Sequence, residues 1–144
     1  MRIGLLGGTF DPVHFGHLLL AECCREALRL DRVWFMPTAV PPHKQAADIS
    51  STAHRLEMLS LALAGNAAFE ICRHEVDRGG VNYTVDTLLQ LHEIYPDNEW
   101  FFLLGGDSVA DLGTWRQPQR VCELATLVAV ERAGMTPLDW SLLA

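Results

Sequence analysis

The apolar run Arg2-Ile3-Gly4-Leu5-Leu6 stops at Gly7-Gly8 and is followed by a helix-periodic segment over 16–30. Strand, tight glycine loop and helix in that order commit the start of the chain to an α/β unit. A second short apolar run at 33–36 turns this into a βαβ crossover, which closes as a parallel pair with a right-handed connection. Pro37 opens a loop, and Pro41-Pro42 excludes both helix and sheet ladder there.

The same alternation continues. Ser50-Ser51-Thr52 offers an N-cap for a helix to about residue 64, with Leu56, Leu59, Leu61 and Leu63 as its apolar positions and Gly65-Asn66 as its end. Residues 69–72 read as a strand, Arg78-Gly79-Gly80 as a loop, 84–94 as a helix and Pro96-Asp97-Asn98 as a turn. Residues 100–104 are the most apolar strand candidate, followed by Gly105-Gly106-Asp107 and a short helix. A helix over 118–124 and a strand over 126–130 come last. This is the pattern of an α/β doubly wound parallel sheet, in which ligands sit beyond the C-terminal strand ends near a topological switch point. The loops at Gly7-Gly8, 37–44 and Gly105-Gly106-Asp107 all follow strands and are expected to converge at one edge.

Composition narrows the partners. With 49% hydrophobic and 20% charged residues in 144, the chain has the makings of one globular domain. A net charge of −7 offers no basic stripe for nucleic acid. An anionic ligand must therefore be held by a few local cations, backbone N–H groups or a metal. No apolar run approaches the ~18 residues that span a membrane, so a cytoplasmic location is expected. Cys23, Cys24, Cys72 and Cys122 show no C-x-x-C spacing and read as reduced thiols. A homo-oligomer is compatible with all of this.

The loop after the first strand runs Gly7-Gly8-Thr9-Phe10-Asp11-Pro12-Val13-His14-Phe15-Gly16-His17. It is neither the Rossmann G-x-G-x-x-G nor a lysine-bearing Walker loop. Gly7 and Gly8 let backbone approach a phosphate, and the next helix aims its N-terminal N–H groups at the same place. His14 and His17 flank Gly16 at the helix mouth, where each imidazole can donate to a phosphate oxygen and Gly16 clears the approach. Taken alone, the pair reads equally well as two unrelated histidines near a helix start or, since His at i and i+3 can share a metal, as half of a metal site.

The eleven-residue string resembles the (T/H)xGH nucleotidyltransferase superfamily. Its companions Pro41-Pro42-His43-Lys44, Tyr83-Thr84-Val85-Asp86-Thr87, Leu104-Gly105-Gly106-Asp107-Ser108 and Thr114-Trp115, in that order, resemble the bacterial nicotinate-mononucleotide adenylyltransferases. The resemblance implies a Rossmann-like nucleotidyltransferase domain over 1–144. It implies ATP and nicotinate mononucleotide as substrates and deamido-NAD and pyrophosphate as products, with Mg²⁺ carried by ATP and no metal held by the protein itself. The mononucleotide phosphate would attack the α-phosphorus of ATP in line, so positioning and charge stabilisation supply the rate.

By motif position, His14, His17 and Lys44 are the catalytic candidates, Lys44 being the only lysine in the chain. Gly7, Gly8, Thr9, Phe10, Gly16, Gly105, Asp107 and Arg132 join the histidines in binding ATP. Trp115 would stack on the pyridine ring, and the backbone N–H groups of Thr84 and Arg116 would receive the nicotinate carboxylate. Each has a plainer alternative: Lys44 a solvated charge, Trp115 a core aromatic, Asp107 a helix N-cap, Arg132 a surface charge.

The superfamily's late phosphate motif, I-S-S-T-x-x-R, is expected near a C-terminus this chain does not reach, so the last strand and helix of the family domain are expected to be missing. The same letters occur at Ile49-Ser50-Ser51-Thr52-Ala53-His54-Arg55. That match reads as a coincidence of an N-cap run, with Arg55 an exposed charge whose replacement by alanine changes nucleotide affinity by less than about twofold. Two classes of function remain: the adenylyltransferase, and a nucleotide-binding fragment or regulator.

Overall fold

The computed structural model describes residues 1–39, 49–105 and 115–130. In chain order the elements are β1 (Arg2–Gly8), α1 (Phe15–Leu28), β2 (Arg32–Pro37), α2 (Thr52–Leu63), β3 (Phe69–Ile71) and α3 (His74–Arg78). They continue with α4 (Thr84–Ile94), β4 (Glu99–Gly105), α5 (Pro118–Leu124) and β5 (Thr126–Val130). The five strands form one sheet in the order β3-β2-β1-β4-β5, and every pairing is parallel. The order reverses between β1 and β4, which makes their C-terminal ends the switch point of a doubly wound sheet.

Period-two alternation along the strands sorts side chains onto two faces. Ile3, Leu5, Trp100, Phe102 and Leu104 bury against Val85, Leu88 and Leu91 of α4 and Val121 of α5. Leu6, Val33, Phe35, Phe101 and Leu103 bury against Ala21 and Cys24 of α1 and Leu59 and Leu63 of α2. Each such side chain taken fully from water contributes about 1.5–3 kcal/mol. Gly4 faces the second layer, where a Cβ would come within 2.8 Å of Leu30 Cδ1. The strand reads as apolar with a gap because the gap is filled by a neighbouring leucine. All four cysteines are free, and burial pushes the Cys24 and Cys72 thiols upward in pKa, which keeps them protonated.

Several elements differ from the sequence expectation. Helix α1 ends at Leu28, with Arg29 in the left-handed region at φ 53° as its C-cap. Of the four α2 leucines, only Leu59 and Leu63 are buried and Leu61 is exposed. The third buried position of α2 is Arg55, contrary to its reading as an exposed charge. Helix α3 was not anticipated: five residues are too few to show an apolar period, and the structure ends it at Gly79. The short helix after Gly105 and everything after Val130 lie outside the described residues. Among those that are described, no helix is long and apolar enough to cross a membrane.

Candidate active site

The β1–α1 loop leaves the sheet at the switch point and turns sharply. Phe10 takes a left-handed backbone at φ 51°, a conformation bulky residues seldom adopt, and its ring is buried against Phe35 and Gly8. A Cβ on Gly8 would sit 3.4 Å from that ring, in van der Waals contact, so Phe10 folds back directly over the second glycine. Asp11 Oδ2 then accepts from the Ser50 N–H at 2.7 Å, which ties the loop to the lead-in of α2.

His14 is the N-cap of α1, and the two histidines cap the helix reciprocally. The Gly16 N–H donates to His14 Nδ1 at 3.0 Å, and the His14 N–H donates to His17 Nδ1 at 3.1 Å. A ring nitrogen that accepts carries no proton, so both neutral rings are the tautomer protonated on Nε2. The rings lie 3.9 Å apart, and Phe10 meets His17 edge-on at 4.9 Å. Gly16 leaves room for the His14 ring, whose Cε1 would be 2.8 Å from a Cβ there. Among the described residues no group of three or more His, Cys, Asp or Glu side chains could hold a metal ion.

Sequence reasoning missed what holds this loop down. Arg55 is 1% exposed. Its Nη1 donates to the Thr9 carbonyl at 2.9 Å and the Thr38 carbonyl at 2.8 Å. Its Nε donates to Ser50 O at 3.2 Å, and its Nη2 to Ala39 O at 3.4 Å and Thr52 Oγ1 at 3.3 Å. The Thr38 N–H in turn donates to the Gly8 carbonyl at 2.9 Å. A signal existed, in that Arg55 stands one helical turn before Leu59 and two before Leu63, on their face.

Across the switch point lies a second group. Tyr83 is the N-cap of α4 with no side-chain cap, so Thr84 opens the helix with its terminal N–H groups uncapped by a side chain. The Arg116 guanidinium stacks on the Tyr83 ring at 4.6 Å. That contact brings the Trp115-Arg116 segment beside the start of α4. Trp115 is partly buried and meets Phe102 edge-on at 5.7 Å, so it is anchored on the core layer. Beneath α4, the Thr87 hydroxyl donates to Glu75 Oε2 at 2.7 Å, and Asn82 donates to the Glu75 carbonyl at 3.3 Å. Burial raises the Glu75 carboxyl above its ordinary pKa, opposed by the Thr87 hydroxyl and by His74 and Arg78.

The structure therefore gathers Gly7, Gly8, Thr9, Phe10, His14, Gly16 and His17 at the end of β1. Gly105 ends the adjacent β4, where the Leu5–Phe102 register brings Gly8 and Gly105 to the same edge. Lys44, Asp107 and Arg132 lie outside the described residues.

Residues 5–142 match the cytidylyltransferase-like family, and the chain belongs to that family of nucleotidyltransferases. A Bacillus mycoides (strain KBAB4) protein named "Probable nicotinate-nucleotide adenylyltransferase" is 49% identical over 135 residues, covering 94% of this chain and 71% of the relative. A Desulfitobacterium hafniense (strain Y51) protein of the same name is 44% identical over 139 residues, covering 96% and 67%. These relatives place the chain in the nicotinate-nucleotide adenylyltransferase branch, as its motifs implied. The fold is also that of Plasmodium falciparum nicotinic acid mononucleotide adenylyltransferase complexed with NaAD, with a TM-score of 0.83 at 20% identity over 99% of this chain and 69% of that one.

Proposed function

We propose that this chain transfers the adenylyl group of ATP to nicotinate mononucleotide, giving deamido-NAD and pyrophosphate in NAD biosynthesis. The observation that carries the reading is the reciprocal cap of His14 and His17, which fixes two Nε2–H donors at the mouth of α1 where the sheet order reverses. A phosphate oxygen of the mononucleotide attacks the α-phosphorus of ATP as the bond to the bridging oxygen of pyrophosphate breaks. No covalent enzyme intermediate is involved, so the chain's task is to position two anions and stabilise charge. His14 and His17 donate to the ATP phosphates, supported by the N–H groups of the Gly7-to-Phe10 loop, with Gly105 at the nucleotide's edge. Lys44, Asp107 and Arg132 complete the ATP site by their motif positions.

The mononucleotide lies against the second group. Trp115 stacks on the pyridine, and the Thr84 and Arg116 N–H groups receive its carboxylate, which favours acid over amide because only the acid presents two acceptor oxygens. Mg²⁺ enters on the ATP phosphates, where it neutralises charge. The cytoplasm is the compartment this reading assigns, since both substrates are charged metabolites. The test is pyrophosphate release with ATP and either nicotinate or nicotinamide mononucleotide, the product identified by mass. Turnover with preference for the acid is expected. ATP binding with no pyrophosphate from either mononucleotide overturns the proposal in favour of a nucleotide-binding regulator.

A further inference from the structure

Arg55 stands out among the groups the proposed chemistry does not use. A guanidinium has five N–H donors in a rigid fork, and here five hydrogen bonds reach oxygens of three separate segments: the histidine loop at Thr9, the exit of β2 at Thr38 and Ala39, and the start of α2 at Ser50 and Thr52. Four of the five acceptors are backbone carbonyls. A surface salt link needs none of this, and a core filler would be an apolar residue such as Leu59 one turn later.

The consequence follows from peptide planarity. In a trans peptide the C=O of one residue and the N–H of the next point in opposite directions, and the only cis bond among the described residues is Asp11-Pro12. Drawing the Thr9 carbonyl onto Arg55 therefore turns the Phe10 N–H away from the guanidinium. Drawing the Gly8 carbonyl onto the Thr38 N–H turns the Thr9 N–H away from β2, toward the β4 side of β1, and Thr38 is itself held by Arg55 through its carbonyl. Two successive N–H groups turned away from β2 and α2 beside a helix mouth leave donors for an anion at the switch point. The same carbonyl bond holds Phe10 in its left-handed backbone, and the Phe10 ring abuts His17 at 4.9 Å.

We propose that Arg55 is a positioning residue for adenylyl transfer: by pinning the Thr9 and Thr38 carbonyls it aims the Thr9 and Phe10 N–H groups at the ATP phosphates and sets the ring of His17 through Phe10. It touches no substrate. The proposal rests on the adenylyltransferase reading, and wild-type turnover with ATP and nicotinate mononucleotide is the control that separates the two, because loss of that turnover tells against the reading and not against Arg55.

The experiment compares the full chain with Arg55→Lys and Arg55→Met. It measures kcat and both Michaelis constants, thermal midpoints, and the backbone ¹⁵N–¹H signals of Thr9 and Phe10 on titration with ATP. Arg55→Lys, which keeps the charge but not the fork, is expected to fold and to lose at least tenfold in kcat. Its Michaelis constant for the mononucleotide should stay within about twofold, and its Phe10 signal should no longer respond to ATP as in wild type. Arg55→Met should lose more, with lysine as the partial rescue. Folded Arg55→Lys with kcat within twofold of wild type overturns the proposal. So does a mononucleotide Michaelis constant that rises as much as kcat falls. Where neither variant folds, the wild-type titration decides: a large ATP-induced shift at Phe10 supports the role and an unmoved Phe10 signal overturns it.

Discussion

In the phosphate corner, the two histidines assigned to ATP come from a single stretch, His14 to His17, and cap one helix together, the His14 ring accepting from the Gly16 N–H and the His17 ring from the His14 N–H. In the pyridine corner, the assigned groups Thr84, Trp115 and Arg116 come from distant segments that meet through a stacked Arg116–Tyr83 pair and the Trp115–Phe102 contact. The first corner is locally self-organised, yet its loop takes an unfavourable backbone at Phe10 and depends on a buried cation from α2. The second also carries a left-handed residue, Gln117 at φ 48° beside Arg116, and exists only once β4, α4 and the segment before α5 have packed. The proposed histidine donors are built from adjacent letters; the proposed platform for the pyridine ring is assembled by the fold.

The largest effect is expected in the first corner. His17→Ala removes an Nε2–H donor and should lower kcat by ~10²–10³, the usual loss for one charge-stabilising donor, while the thermal midpoint moves little because the ring packs at the loop and not within a core layer. His14→Ala should behave alike and also weaken ATP binding, since the N-cap of α1 goes with it. Pyrophosphate release paired with thermal melting checks both. Folded His17→Ala with near-normal turnover would break the contrast at its stronger end.

That contrast also explains what could be read from sequence. The sheet, its alternation and the helix over 84–94 were legible because period-two and period-3.6 patterns report which face is buried, and the histidine loop was legible because its residues are contiguous. Arg55 was not, because an arginine in a leucine-rich first turn is ordinarily solvated, and only the arrival of the Thr9 and Thr38 carbonyls beneath it makes burial tolerable. The I-S-S-T-x-x-R letters around it read, by their place in the chain, as a coincidence of an N-cap run. Ser50 and Arg55 do adjoin the histidine loop, but the guanidinium points at carbonyl oxygens. Glu75 and α3 were missed for a related reason: a carboxylate in a five-residue helix gives no periodic signal, and its partner Thr87 lies on another helix.

A smaller effect is expected in the second corner. Trp115→Ala should raise the mononucleotide Michaelis constant about threefold to tenfold, matching ~0.5–1.5 kcal/mol for a lost aromatic contact, with the constant for ATP nearly unchanged. Trp115→Phe should recover most of the loss by keeping a stacking face. Equal rises for both substrates in steady-state kinetics would mean that Trp115 serves only as a core aromatic on Phe102, and the two corners would then not divide the substrates as proposed.

The smallest effect is one of stability, and it tests whether the second corner is held from beneath by Glu75. Burial raises the Glu75 carboxyl above its ordinary value, the Thr87 hydroxyl, His74 and Arg78 opposing but not cancelling the shift. A carboxyl with a raised folded pKa binds its proton more tightly folded than unfolded. Its stabilising contribution is therefore complete below the unfolded value of ~4.3 and is lost as pH rises through the higher folded value. Glu75→Gln keeps a partner for Thr87 but no longer titrates. The difference in unfolding free energy between wild type and Glu75→Gln should therefore shift toward the variant as pH rises from about 4.3, by at most ~1.4 kcal/mol per pH unit, the limit for one proton. Urea midpoints measured at half-unit steps from pH 4.5 to 7.5 would show it. A difference that stays flat across that range would mean Glu75 keeps its charge in the fold, held by His74 and Arg78. In that case the start of α4 would be braced electrostatically, as the phosphate loop is by Arg55, and the distinction between the two corners would narrow to the placement of their residues along the chain.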